Sequence, residues 1–157
     1  MIAKHPELLG EEEGTVEFVA RQINLPQTGE LDLLFVNSDG LPIVVETKRG
    51  INPEARREVI GQVIDYLATL TDLTVDELNG RVGGKLKDAI EKLTEGAEAG
   101  ETEESEFDRV WQKVGANLRT GQARLVVAFG TNLPFSCSQL ASGRSLGHRS
   151  EVRVQGG

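Results

Sequence analysis

A single cysteine, Cys137, and two histidines, His5 and His148, stand in a chain of 157 residues. One thiol forms no intrachain disulfide and cannot build a thiolate zinc site, and two imidazoles are too few for a histidine-rich centre. Any metal ion would have to be held by carboxylates, which suits Mg²⁺ or Mn²⁺. Long hydrophobic runs are missing as well. The longest apolar stretches have the length of strands, too short for a transmembrane helix. The first residues, Met1 to Glu7, lack the apolar core of a signal peptide, so the expected compartment is the cytoplasm. Basic charge is outnumbered, with 17 Lys and Arg against 25 Asp and Glu and a net charge of −8. An acidic average argues at first against a polyanionic partner.

The distribution of charge softens that objection. Residues 1–106 carry a net −13 and residues 107–157 a net +5, and much of the acid lies in one stretch, Glu95 to Glu106. Lys48, Arg49, Arg56 and Arg57 form a local basic group, and charges beyond a Debye length are largely screened from it. With 38% apolar and 27% charged residues, the chain has the composition of one globular domain with a core of ordinary size.

The most informative stretch runs from Gly29 to Leu70. Thr15 to Ile23, just before it, is rich in β-branched and aromatic residues and predicts a strand that Pro26 and Gly29 break. Leu31 to Val36 is apolar on both faces except at Asp32, the pattern of a strand buried on two sides. A carboxylate there is costly unless it holds a partner. Asn37, Ser38, Asp39 and Gly40 form a turn, and Ile43 to Arg49 is the next strand. Period-two alternation places Val44, Glu46 and Lys48 on one face. An antiparallel hairpin would set Asp32 beside Glu46.

A helix then opens with Asn52 as N-cap, Pro53 and Glu54, and runs to about Leu70. Val59, Ile60, Val63, Ile64 and Leu67 supply its expected apolar stripe, with Gln62 and Tyr66 four apart on one edge. Residues 74–94 predict one or two helices broken at Gly83 and Gly84. Residues 95–106 read as an acidic flexible linker, and Phe107 to Leu118 as a helix with Trp111 in the core. Ala123 to Phe129 is a strand. Residues 131–157, rich in Ser, Gly and Arg, read as an irregular and disordered tail outside a domain of residues 1–130.

Asp32, then Glu46, Thr47 and Lys48, then Gln62 and Tyr66, is a constellation that resembles the PD-(D/E)XK nuclease superfamily. Within it the chain is most similar to NucS-like endonuclease domains and their uncharacterised relatives. The resemblance is carried by GELDLLFVNSDGLPIVVETKRG followed by GQVIDY, about the middle third of the chain. It implies an α/β fold with a restriction-endonuclease-like αβββαβ core, a small mixed sheet flanked by helices. It also implies an enzyme, a Mg²⁺- or Mn²⁺-dependent endonuclease that hydrolyses DNA phosphodiester bonds. Asp32, Glu46 and the Thr47 carbonyl would then hold the metal. Lys48 would orient the attacking water and stabilise charge building on the phosphate. Gln62 and Tyr66 would donate hydrogen bonds in the site, and Arg49, Arg56 and Arg57 would contact DNA phosphates. Nuclease-like domains often cut both strands as pairs, so a homodimer stands among the options.

Two departures accompany the match. Relatives often place a further metal-binding glutamate on a helix before the first strand, and only Glu7 or Glu11 to Glu13 could serve here. Similar proteins also continue past the final strand with more regular structure. The alternative function is a catalytically silent module of the same fold that binds nucleic acid or a protein partner. A third reading is a structural domain in which Glu46 and Lys48 form a solvent-facing pair and Tyr66 is core packing.

Overall fold

The computed structural model describes residues 15–49, 53–96, 104–130 and 150–154. Among them, three strands come first: β1 (Val16–Leu25), β2 (Gly29–Asn37) and β3 (Pro42–Arg49). Four helices follow, α1 (Pro53–Thr71), α2 (Val75–Arg81), α3 (Lys85–Thr94) and α4 (Glu106–Arg119). Strands β4 (Ala123–Gly130) and β5 (Ser150–Val154) complete the set. The result is a mixed α/β fold whose strands form one sheet in the order β1-β2-β3-β4-β5. β3 and β4 run parallel, and the other neighbours are antiparallel.

The turn between β2 and β3 is built by its own side chains. Asn37 Oδ1 accepts from the N–H groups of Asp39 at 3.0 Å and Leu41 at 2.8 Å, and the Gly40 N–H donates to the Asn37 carbonyl at 2.9 Å. Gly40 takes φ 69°, the left-handed conformation that closes a three-residue hairpin loop without a Cβ penalty. This loop lies against α4, where Asn117 Nδ2 donates to the Gly40 carbonyl at 2.8 Å.

The two faces of the sheet are dressed differently. The larger core joins Leu31, Leu34, Val36, Val44, Leu125 and Val127 of the sheet to buried residues of all four helices. α3 packs over β1, α1 over β3 and β4, and α4 over β3. The opposite face holds a smaller cluster of Val16, Phe35, Ile43, Val45 and Val126, with Phe18 set edge-on to Phe35 at 5.4 Å. No helix residue joins that cluster among the described residues.

Two expectations change. The stripe that α1 buries is Val59, Val63, Tyr66 and Leu70, whereas Ile60 and Ile64 are 44% and 51% exposed. The helix carries two overlapping apolar rows, and the sheet selects the one containing Tyr66. Ser150–Val154, within the stretch expected to be irregular, is a strand whose residues pair with Ala123 to Val127 of β4. Its Val-Arg-Val alternation is too short to signal a strand by itself and becomes one beside a neighbour. The glutamates at 7 and 11–13, the Asn52 cap and most of the acidic linker lie outside the described residues.

Candidate active site

The site forms where β2 and β3 part. Their ladder runs from Val36–Pro42 to Leu33–Val45 and stops. Asp32 and Glu46, one step further along each strand, begin the fork. On the far side, Gln22 of β1, between the pairs Arg21–Leu33 and Ile23–Leu31, has φ 52°, an irregularity in β1 where β2 leaves β3. β3 does not lose its other neighbour, because its parallel pairing to β4 continues through Arg49–Gly130.

Within the fork the Asp32 carboxylate takes over the bonding that a β2 carbonyl would have supplied. Oδ2 of Asp32 accepts from the Thr47 N–H at 2.7 Å and from Thr47 Oγ1 at 2.6 Å. These are short, charge-assisted bonds. Glu46 is buried, with its side chain 3% exposed, and its Oε1 lies 3.0 Å from Lys48 Nζ. Lys48 is a third exposed, so the pair reaches from the interior toward solvent and is not the solvent-facing pair of the third reading. The second oxygen of Glu46, Oε2, is buried and has no hydrogen-bond partner.

Helix α1 closes the inner side. Tyr66 is fully buried. Its hydroxyl donates to the Glu30 carbonyl at 2.7 Å and accepts from Gln62 Nε2 at 2.6 Å. The four-residue spacing of Gln62 and Tyr66 thus makes a relay that anchors β2 two residues before Asp32. Glu30 contributes through its backbone, which no side-chain pattern could have announced.

The electrostatics follow from this packing. Burial pushes the Glu46 carboxyl above its ordinary value. The Lys48 hydrogen bond opposes that, and the Asp32 charge adds to it. Tyr66 is also raised, first by burial and then by the negative charge of Glu46, so its phenol stays protonated. The Asp32 charge therefore acts on Glu46, and both carboxylates act on Tyr66.

A raised carboxyl has a defined effect on stability. Between the ordinary glutamate value of 4.5 and the raised value in the fold, the folded chain keeps a proton that the unfolded chain has released. Stability falls as pH rises through that window, and ionised Glu46 is a net cost to the metal-free protein at neutral pH. Glu46→Gln, measured by thermal unfolding in chelator, is expected to melt above the parent at pH 7. The two should converge below about pH 3, where glutamate is protonated in both states. A variant that melts below the parent at pH 7 would contradict this account.

Asp32, Glu46, Thr47, Lys48, Gln62 and Tyr66 are thus gathered around one fork. Arg57 is exposed on the first turns of α1, away from the buried stripe, whereas the side chains of Arg49 and Arg56 lie outside the described residues. Among the described residues no group of three or more acids, histidines or cysteines converges as a metal cluster. Among the described residues the pair Asp32 and Glu46 is what is available. Mg²⁺ commonly uses one or two carboxylates and keeps several waters, so this donor set fits it, and the unpartnered Glu46 oxygen gives a cation something to satisfy. No described helix is long and apolar enough to cross a membrane. Scans against protein-family models, curated proteins and solved structures find no match to this chain.

Proposed function

We propose that the chain is a Mg²⁺- or Mn²⁺-dependent nuclease that hydrolyses DNA phosphodiester bonds on a restriction-endonuclease-like core. The observation that carries this reading is the buried, unpartnered Oε2 of Glu46 beside Asp32 at the fork of two strands. A purely structural domain gains nothing by burying the Glu46 carboxylate next to the Asp32 charge, which disfavours its ionisation.

Asp32 and Glu46 would hold the ion, with the Thr47 carbonyl as third protein donor by resemblance. When bound, the ion supplies Lewis-acid polarisation of the phosphoryl group and charge neutralisation. Lys48, tied to Glu46 and partly exposed, presents its ammonium at the solvent side of the fork, where it orients the attacking water and meets the charge that develops on the phosphate. The Gln62–Tyr66 relay holds β2 in place and keeps water out of the inner side. Arg57 offers a phosphate contact that positions the strand without reading its sequence.

The test is a Mn²⁺ titration of chelator-treated protein, followed by thermal unfolding and by cleavage of a DNA duplex and a single strand. Binding to the folded state alone adds about 2.7 kcal/mol of stability at a hundredfold excess over Kd. The unfolding midpoint should rise by several degrees, and cleavage should appear with the metal. Neither shift nor cleavage would leave the silent binding module as the better description.

A further inference from the structure

We infer that the Thr47 side chain is a positioning residue for the metal site: its hydroxyl and its own N–H together clamp one oxygen of Asp32, so that the other is presented toward Glu46. This rests on the nuclease reading and assigns a task to the middle residue of the Glu46-Thr47-Lys48 run, beyond its carbonyl. Three observations point the same way. First, both donors of Thr47 converge on a single oxygen, Oδ2, at 2.7 and 2.6 Å. A carboxylate held by two donors on one oxygen loses the freedom to rotate about its last bond, which fixes where Oδ1 points. Second, Glu46 is organised alike. Oε1 is held at 3.0 Å by Lys48 Nζ, and Oε2 is left over. Each acid thus has one oxygen held by a neighbour on β3, Thr47 for Asp32 and Lys48 for Glu46.

The third observation is the exposure of Thr47. Its side chain faces outward and takes no part in either hydrophobic cluster. A β-branched residue suits a strand wherever it stands, and a valine there would keep the shape and the backbone donor. The hydroxyl is therefore what the position requires beyond shape. Ligand-orienting partners of this kind typically change metal affinity or activity by about 10–100-fold when removed.

Thr47→Val keeps size, branching and the backbone donor while removing the hydroxyl, and Thr47→Ser keeps the hydroxyl. Mn²⁺ binding to the full chain, measured by calorimetry, is expected to weaken about tenfold or more in Thr47→Val and to stay close to the parent in Thr47→Ser. Metal-free unfolding should be nearly the same in all three proteins, which separates positioning from a structural role. Equal Mn²⁺ affinity in parent and Thr47→Val would overturn the inference and leave the nuclease reading standing. A parent that takes up no Mn²⁺ would overturn both.

Discussion

Lys48→Ala is expected to slow DNA cleavage by at least about a hundredfold, the usual range for losing a positioned group that handles the nucleophile. The substitution also strips a buried carboxylate of its cation. Glu46 is 3% exposed, and Lys48 Nζ at 3.0 Å is the charge that compensates it. Removing one partner of such a pair leaves an uncompensated buried group, so the metal-free unfolding midpoint should fall as well. The two effects are separable. In the double variant Glu46→Gln with Lys48→Ala the buried charge is gone, and the midpoint should recover while cleavage stays lost. Asp32→Asn offers a cleaner comparison. Its amide oxygen can still accept from Thr47, and its lost charge relieves Glu46, so the metal-free fold should hold while cleavage disappears. Parent-level cleavage by either Lys48→Ala or Asp32→Asn, followed on a labelled duplex with Mn²⁺, would sink the catalytic assignment.

The second large effect is structural and lies at the hairpin that feeds the site. Gly40→Ala places a Cβ 2.7 Å from Lys113 Cβ, 2.8 Å from the Val114 nitrogen and 3.0 Å from the Val110 carbonyl. Two of those atoms are α4 backbone, which cannot swing aside. Overpacking of this kind costs about 1–3 kcal/mol, and the left-handed backbone at φ 69° adds roughly 1 kcal/mol more for a residue with a Cβ. A loss of about 3 kcal/mol is expected, or roughly 6–12 °C in the unfolding midpoint for a chain of this size. Denaturant unfolding followed by circular dichroism measures it directly. A change below about 1 kcal/mol would mean that α4 does not sit on the turn as described. Gly29→Ala is the matched control for glycine with positive φ but open space, since nothing approaches its Cβ position within 4 Å.

Much of this was legible in the sequence because the signals are local. Pro26 and Gly29 bound a strand, Asn37 to Gly40 make a turn around the Asn37 amide, and Gly83 and Gly84 break the helices that follow α1. The alternation that set Glu46 and Lys48 on one face needs only the period of a strand. What stayed hidden depends on distant partners. Ile60 and Ile64 are as apolar as Val59 and Val63, and only the position of the sheet decides which row is buried. Tyr66 falls on one edge of the expected stripe, and nothing local says which partner its hydroxyl takes. Its hydroxyl finds the Glu30 carbonyl, 36 residues earlier in the chain. Ser150–Val154 is a strand only because β4 offers an edge. The site itself falls between these cases: its side chains could be picked out one by one, but the fork that brings them together could not.

That fork has unequal arms. β3 is fastened along its outer side through seven consecutive residue pairs with β4, from Ile43–Arg124 to Arg49–Gly130. β2 beyond Leu33 has no such rail on the β3 side. It is tethered there by the Thr47 bonds to Asp32 and, across the helix, by one phenol on the Glu30 carbonyl. Glu46 and Lys48 therefore sit on a strand paired to β4 from Ile43 through Arg49, while Asp32 sits on a strand whose sheet neighbour beyond Leu33 is β1. Opening the fork would break a few hydrogen bonds on the β3 side, while β2 keeps its pairing to β1 through Leu25–Gly29.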